Sequence, residues 1–430
     1  MSNREVKGPP PENESILRSR QLILNHYQKK DYKEAENKAQ HHVKKYKDDA
    51  IVWQTLGVSQ RNLGKTQLAI RSLQKAESLL PNDIAILTSL SKTLHKQNQK
   101  QEYFEVAKKL FHLNAIDEGT CVSANRILYQ MGNPKETLKW CNNFIEVYPA
   151  NPELYFHLSI ALKNVGRLPE AIEKGRKGLE LRLKHPTNVK PQPQKPKFNS
   201  AENKQVLWQV LVDLKKQNIH AFPTAGTLLG LIREGDLLAG DKDIDLALLY
   251  EEIDDAVKIL EANGWQEVKG SYVLINPRQM YYPKYKLTID LCGLVKEKES
   301  GKTIGGFWMP GIPKEWNRII EFPAMKLNKA QSPAGEVWWP AEPEVWLESL
   351  YGDWRTPDNE FDTVICANNL RNFSYLVECY AIHRIMFHWG QGYLSKALKI
   401  VTSTLKHKPN NELYQEIQRR FLDSLGRKAR

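Results

Sequence analysis

The stretch Ala225–Leu249, AGTLLGLIREGDLLAGDKDIDLALL, decides how the second half of the chain is read. Its last nine residues alternate, with Asp241, Asp243 and Asp245 separated by Lys242 and Ile244. In a strand over 241–249, a period of two puts the three carboxylates on one face and Ile244, Leu246 and Leu248 on the other. Carboxylates so close repel one another unless a cation sits among them, and all-oxygen ligands suit Mg²⁺ or Mn²⁺ rather than zinc. Upstream, Gly226-Thr227 leads into the apolar Leu228 and Leu229, a small-residue turn where a strand passes into a helix. Backbone N–H groups can approach a phosphate there, and Arg233 has the planar fork to hold one. A second alternating run, Tyr285–Cys292, presents Asp290 as the lone acid on the polar face of an otherwise apolar strand. On a neighbouring strand it would complete a three-carboxylate metal cradle. Each residue also has a plain structural reading. Asp241 can cap a strand end, Arg233 can pair with Glu234 or Asp236, and Asp290 can be a solvated edge residue.

Outward from this stretch, Val206, Leu207, Val210, Leu211 and Leu214 form one helix face, and Ile219–Pro223 reads as a short strand. Ile253, Ala256, Val257 and Leu260 mark a helix ending at Gly264. Helices mixed with strands in this rhythm predict a mixed sheet with helices against it. From Cys366 the chain reads as helical. Gly392, Ala397 and Pro409 stand at the turn–alanine–proline offsets of the N-terminal units; a stray tetratricopeptide-like hairpin stays open, and an ordinary helical subdomain over 366–430 is the favoured reading. Trp338, Trp339, Trp346 and Trp354 are expected in the core rather than as a sugar-stacking wall, and His383 and His388 as structural.

The first half repeats itself. Gly64, Asn98, Gly132 and Gly166 lie 34 residues apart, as do Trp53, Leu87, Cys121 and Tyr155. This period and these residue types resemble the tetratricopeptide repeat, with five units at about 16–49, 50–83, 84–117, 118–151 and 152–185. One helix pair cannot bury its own apolar face, so units stack into a solenoid with a concave groove, which suits a protein or peptide partner. Lys184–Lys197, rich in Pro and Lys, predicts an extended linker.

With 41% hydrophobic and 26% charged residues, the chain has the composition of a soluble globular protein. The net charge of +12 is scattered, without basic runs interleaved with aromatics, so nucleic acid is not an expected partner. Weak contact with an anionic membrane surface or glycan stays open. There is no transmembrane run and no secretory signal, which predicts a cytoplasmic protein. Five scattered cysteines predict reduced thiols rather than disulfides or zinc.

The run GTLLGLIREGDLLAGDKDIDLAL resembles the signature of the LicD/fukutin family of the nucleotidyltransferase superfold. Pro340–Asp358, PAEPEVWLESLYGDWRTPD, is similar to its second signature, with Tyr351, Gly352, Trp354 and Pro357 in place. The resemblance spans about 200–360. It implies a Mg²⁺-dependent transfer of a phosphorylated alcohol, such as phosphocholine or ribitol phosphate, from a CDP-linked donor to a glycan acceptor. By that resemblance Asp243 and Asp245 are the metal-binding Asp-x-Asp and Asp241 the acid preceding it. Gly226, Thr227 and Arg233 are the phosphate-binding positions, and Asp290 is the third metal carboxylate. Lys242 and Ala239-Gly240 depart from the family pattern, which bears on donor identity. The competing readings are a nucleotidyltransferase moving a nucleoside monophosphate and a repeat scaffold with a degenerate catalytic domain.

The expected architecture is α + α/β: a tail over 1–15, a repeat solenoid over 16–185 and a linker over 186–198. A nucleotidyltransferase-fold mixed-sheet domain over 199–365 and a helical C-terminal subdomain over 366–430 follow.

Overall fold

A computed structural model describes residues 14–185, 200–268 and 273–426; most of the expected tail and the expected linker lie outside the described residues. The chain divides into two compact units, Met1–Met131 and Gly132–Arg430.

The first unit is helical throughout: α1 (Glu14–Gln28), α2 (Tyr32–Lys45), α3 (Ala50–Asn62), α4 (Thr66–Leu79), α5 (Ile84–Lys96), α6 (Lys100–His112) and α7 (Glu118–Gln130). The period has a capping signal. Asp49, Asp83 and Asp117 each accept a hydrogen bond from the N–H three residues on, at 3.1, 2.9 and 2.9 Å. Each such cap is worth about 1 kcal/mol. The turns repeat as well, with φ of +78° at Gly64 and +56° at Asn98. Glycine adopts this left-handed conformation without a Cβ clash, and asparagine tolerates it. Ala35, Ala39, Ala69 and Ala76 are fully buried between helices.

The second unit opens with α8 (Pro134–Val147), α9 (Pro152–Asn164) and α10 (Leu168–Lys184). Gly132 and Gly166 take φ of +72° and +80°, so the ten helices α1–α10 keep the 34-residue tetratricopeptide pattern.

Next come α11 (Ser200–Lys216), β1 (Phe222–Pro223), α12 (Ala225–Arg233), β2 (Ile244–Leu249), α13 (Ile253–Ala262), β3 (Gln266–Glu267), β4 (Arg278–Tyr282) and β5 (Leu287–Lys296). They are followed by β6 (Thr303–Phe307), β7 (Arg318–Phe322), the hairpin β8 (Leu327–Ser332) and β9 (Gly335–Pro340), and α14 (Pro343–Tyr351). The central sheet runs β1-β2-β5-β4-β3, with β6 beside β5 and β7 beside β6; β2 and β5 are parallel and the other pairs antiparallel. One face carries Ile244, Leu246, Leu248, Leu287, Ile289 and Leu291, all at most 2% exposed, against α11 and α13. Each such side chain contributes roughly 1.5–3 kcal/mol on burial. On the other face Ala247 packs with Phe222, Leu228 and Trp346 beneath α12 and α14. Helices thus cover both faces of a mixed sheet, the layering expected of this domain.

The chain ends in α15 (Tyr375–Gly390), α16 (Leu394–His407) and α17 (Glu412–Ser424). The expectation of an ordinary helical subdomain gives way to repeat geometry. Gly392 turns at φ +78°, and Tyr393 enters α16 at φ −82°, ψ 63°, beside −86°, 61° for Arg167 entering α10. The α15–α16 hairpin and α17 stack on α9–α10. A shared core joins Leu158, Leu179, Leu376, Ile382, Ile385 and Tyr414. Ser159 Oγ donates to Ala171 O at 2.6 Å and lies 2.8 Å from His383 Nε2, while Arg176 pairs with Glu378. A Cβ on Gly175 would stand 2.6 Å from Ile382 Cγ2. The sheet domain is therefore an insertion between two stacked repeats.

Candidate active site

A cleft of about 720 Å³ opens over the polar ends of β2 and β5. Of the residues expected there from sequence, Gly226, Arg233, Asp241, Asp243, Asp245 and Asp290 line it. Asp245 and Asp290 are direct partners in the parallel β2–β5 register, which sets their carboxylates side by side. Gln279 of β4, opposite Asp290 on its other flank, donates from Nε2 to Asp290 Oδ1 at 2.9 Å.

One expectation is corrected. The strand starts at Ile244, not Asp241, so the three acids do not share one strand face. On one flank the ladder ends because β1 stops at Pro223, opposite Leu246; Thr224 N still bonds Asp245 O at 3.1 Å before the chain turns into α12. On the other flank pairing with β5 starts at Ile289 opposite Ile244. Asp243 stands at the strand entrance, and Asp241 reaches back over the first turn of α12. A Cβ on Gly226 would lie 2.7 Å from Asp241 Oδ2, so only glycine lets this carboxylate sit against the helix N-terminus.

Thr227 is placed differently from its expected phosphate-binding role. Its side chain is buried beneath the cleft, and Oγ1 accepts from Asp245 N at 2.9 Å. It ties α12 to β2 and positions Asp245. Arg233 donates to Trp354 O at 3.2 Å and pairs with Glu234 at 3.0 Å, while its Nε finds no partner among the described residues.

The acids raise one another's proton affinity. Burial, then Asp243 and Glu234, push Asp241 up to about 7. Burial and Asp243 push Asp290 up to about 6, against the Gln279 hydrogen bond. Asp245 is driven well above the carboxylate range by burial and then by Asp243, Asp290 and Asp241, opposed by the Gly226 N–H. Burial raises Asp243, with Lys242 opposing. Hard oxygen donors that resist ionising together fit a divalent cation, which would offset their charge. Among the described residues no three His, Cys, Asp or Glu side chains already close into a metal cage.

Several cleft residues escaped sequence reading. Tyr351, quoted only as part of a motif, lies in the wall, its hydroxyl raised by burial and by Asp245 and Asp241. Cys292, two residues beyond Asp290, is raised well above the thiol range by burial and then by Asp245, Asp290 and Asp243. Arg318 of β7, Tyr380 and Arg384 of α15, and Lys396 of α16 also line the cleft. Only an arginine inside the strand-like run RIIEF signalled any of these four. Trp346 and Trp354 are buried, as expected, and Trp338 stacks on His220 at 5.1 Å.

Residues 218–301 match the family model described as LicD/FKTN/FKRP, nucleotidyltransferase domain. The span includes β1–β5 and, of the cleft's acids, Glu234, Asp241, Asp243, Asp245 and Asp290, so this part of the chain is a LicD-type nucleotidyltransferase domain. Among solved structures, "Crystal structure of MamA protein" is 18% identical with a TM-score of 0.35, covering 41% of this chain and 99% of that one. "MamA 41-end from Desulfovibrio magneticus RS-1" is 16% identical with a TM-score of 0.33, covering 41% and 99%. Likeness this slight says nothing of activity. No curated protein matches the chain. Among the described residues no helix is long and apolar enough to cross a membrane.

Proposed function

Starting from a LicD-type nucleotidyltransferase domain, we propose that the protein transfers a phosphorylated alcohol from a CDP-linked donor to a glycan hydroxyl with Mg²⁺ or Mn²⁺. The observation that carries this reading is the side-by-side pair Asp245 and Asp290, with Asp243 and Asp241 beside them in one cleft. Asp243, Asp245 and Asp290 would hold the cation, whose charge would stabilise phosphoryl oxygens during transfer. Gly226 leaves the first turn of α12 open to donor phosphate, and Arg233 has an unpartnered Nε in the same wall. Thr227 holds Asp245 in place through its backbone. Asp241, whose proton affinity is raised by burial and then by Asp243 and Glu234, suits the base that takes the acceptor's proton. The acceptor oxygen then forms its bond to the distal phosphorus of the donor, the bond to the bridging oxygen breaks, and CMP leaves with that oxygen.

The test is product analysis with full-length protein, CDP-choline or CDP-ribitol, Mg²⁺ and a glycan acceptor. CMP with a phosphodiester-linked glycan is expected. Pyrophosphate released from a nucleoside triphosphate would replace this reading with nucleotidyl transfer. No turnover of either would leave a scaffold. The repeats fit recruitment of a protein partner or of the acceptor itself. Removing 1–131 should then lower activity on a polymeric acceptor and spare activity on a small soluble one.

A further inference from the structure

The cleft is lined by cations as well as acids. Besides Arg233, the cations are Arg318 of β7 and, from the C-terminal hairpin, Arg384 and Lys396. Arg318 is buried over the Phe307 ring at 5.0 Å, with donors spent on Val364 O at 2.8 Å and Thr363 O at 2.6 Å. Burial pulls it down to about 10, which leaves it charged at neutral pH. Arg384 Nη1 donates to Asp362 Oδ2 at 2.7 Å. The other oxygen of Asp362 accepts the N–H groups of Val364 and Ile365 at 3.0 and 3.1 Å. That carboxylate is thus fully engaged and fixes one edge of the guanidinium. Lys396 pairs with no carboxylate among the described residues, although it lines the cleft.

Two further groups mark the same spot. Tyr380 Oη is buried in the wall without a hydrogen-bond partner among the described residues, within the fields of Arg384 and Arg318. His388 is pushed down to about 4, by burial first and then by Lys396, Arg384 and Lys242, with Asp362 alone opposing. Several cations therefore act on this side chain; Asp362 is held by Arg384, and Asp358, also in the lining, is paired with Lys399 at 2.8 Å. A lysine with no counter-ion and a hydroxyl donor with no acceptor among the described residues, together in a cleft, make a receptor for an anion. A cleft of about 720 Å³ has room for more than the group held by the acids.

We propose that the α15–α16 hairpin, outside the residues that match the family, completes the cleft with an anion subsite in which Lys396, Arg384 and Tyr380 Oη bind a phosphate group of a substrate. The identity of that substrate rests on the phosphotransferase reading; the subsite does not need metal. The repeat hairpin then serves chemistry as well as architecture, and a phosphate bound there shares one cleft with the acids.

Inorganic pyrophosphate is titrated calorimetrically into the full chain in EDTA, where the acids cannot assist. Measurable binding is expected, weakened about tenfold in Lys396→Gln and restored in Lys396→Arg. Asp245→Asn should bind as well as wild type or better. The melting temperature of Lys396→Gln should match wild type. If its fold suffers, Tyr380→Phe, which removes only the hydroxyl, gives the same reading. Two arms assign the source of the phosphate. CDP displacing pyrophosphate identifies the donor, and a sugar phosphate binding beside saturating CDP identifies the acceptor. Wild type that ignores pyrophosphate in EDTA, or binding unchanged by Lys396→Gln, overturns the subsite. CMP release with Mg²⁺ is measured separately, so the phosphotransferase reading can stand when the subsite falls.

Discussion

Replacing Asp290 with Asn should stabilise the metal-free protein at pH 8 and leave it unchanged at pH 4. The Asn carbonyl can keep the hydrogen bond from Gln279 that Asp290 accepts at 2.9 Å. What disappears is a charge that burial and Asp243 resist, raising the carboxyl from 3.8 to about 6. At 1.36 kcal/mol per pH unit, ionising this group in the folded protein costs about 3 kcal/mol more than in the unfolded chain. Solvent screening in an open cleft lowers the expected effect to between about 1 and 3 kcal/mol. The sign follows from linkage. A folded-state pKa above the unfolded one favours folding fully below about 4 and loses that contribution as pH rises through about 6. Wild type should therefore lose stability between about pH 4 and 7 in EDTA, and Asp290→Asn should lose less. Thermal melts at pH 4, 6 and 8 would show the curves meeting in acid and separating by a few degrees at pH 8. Adding Mg²⁺ at pH 8 should raise wild type more than the variant. A variant less stable than wild type at pH 8 in EDTA, or a gap independent of pH, would refute the reasoning.

Asp245→Asn should keep the fold and reduce Mg²⁺-supported turnover by roughly two orders of magnitude or more, since about 1.4 kcal/mol of transition-state stabilisation is a tenfold rate change; near-normal turnover would remove the metal assignment. Gly226→Ala should lower activity about tenfold or more with little effect on melting, because the three atoms nearest the new Cβ, at 2.7–3.3 Å, all belong to the side chain of Asp241; steady-state kinetics beside a melt would check both. A fragment from Gly132 should fold, whereas one from Glu202 should be insoluble, since it strips α9 and α10 from Ile382, Ile385 and Met386; soluble expression and circular dichroism of the two would decide.

The solenoid was legible because its signals are local and periodic. Gly64, Asn98, Gly132 and Gly166 take the left-handed turn that their spacing predicts. Asp245 and Asp290 were legible because a period of two separates acids from core residues on each strand. Where a strand begins depends on its neighbours, so Asp241 and Asp243 could not be placed from alternation alone. Thr227 looked like a phosphate ligand because the pattern cannot say which way a side chain in a helix's first turn points. Arg384 and Lys396 reach the cleft only through stacking of α15 on α10, a contact between residues about 200 apart that no local pattern encodes. The same stacking makes the Pro/Lys boundary a break in sequence character but not in packing.

That insertion sets a timetable for synthesis. The apolar face of α10, with Ile172 and Leu179, is complete once the ribosome has passed residue 184, yet its partner α15 starts at Tyr375. At about 5–20 residues per second, a delay of roughly 10–40 s separates the two. During that interval the half-built stack has an uncovered edge, while earlier repeats can close on their neighbours as they emerge. The step that joins Arg176 to Glu378 must wait for the entire sheet domain, so nascent chains stalled before residue 375 should be the species that holdase chaperones retain.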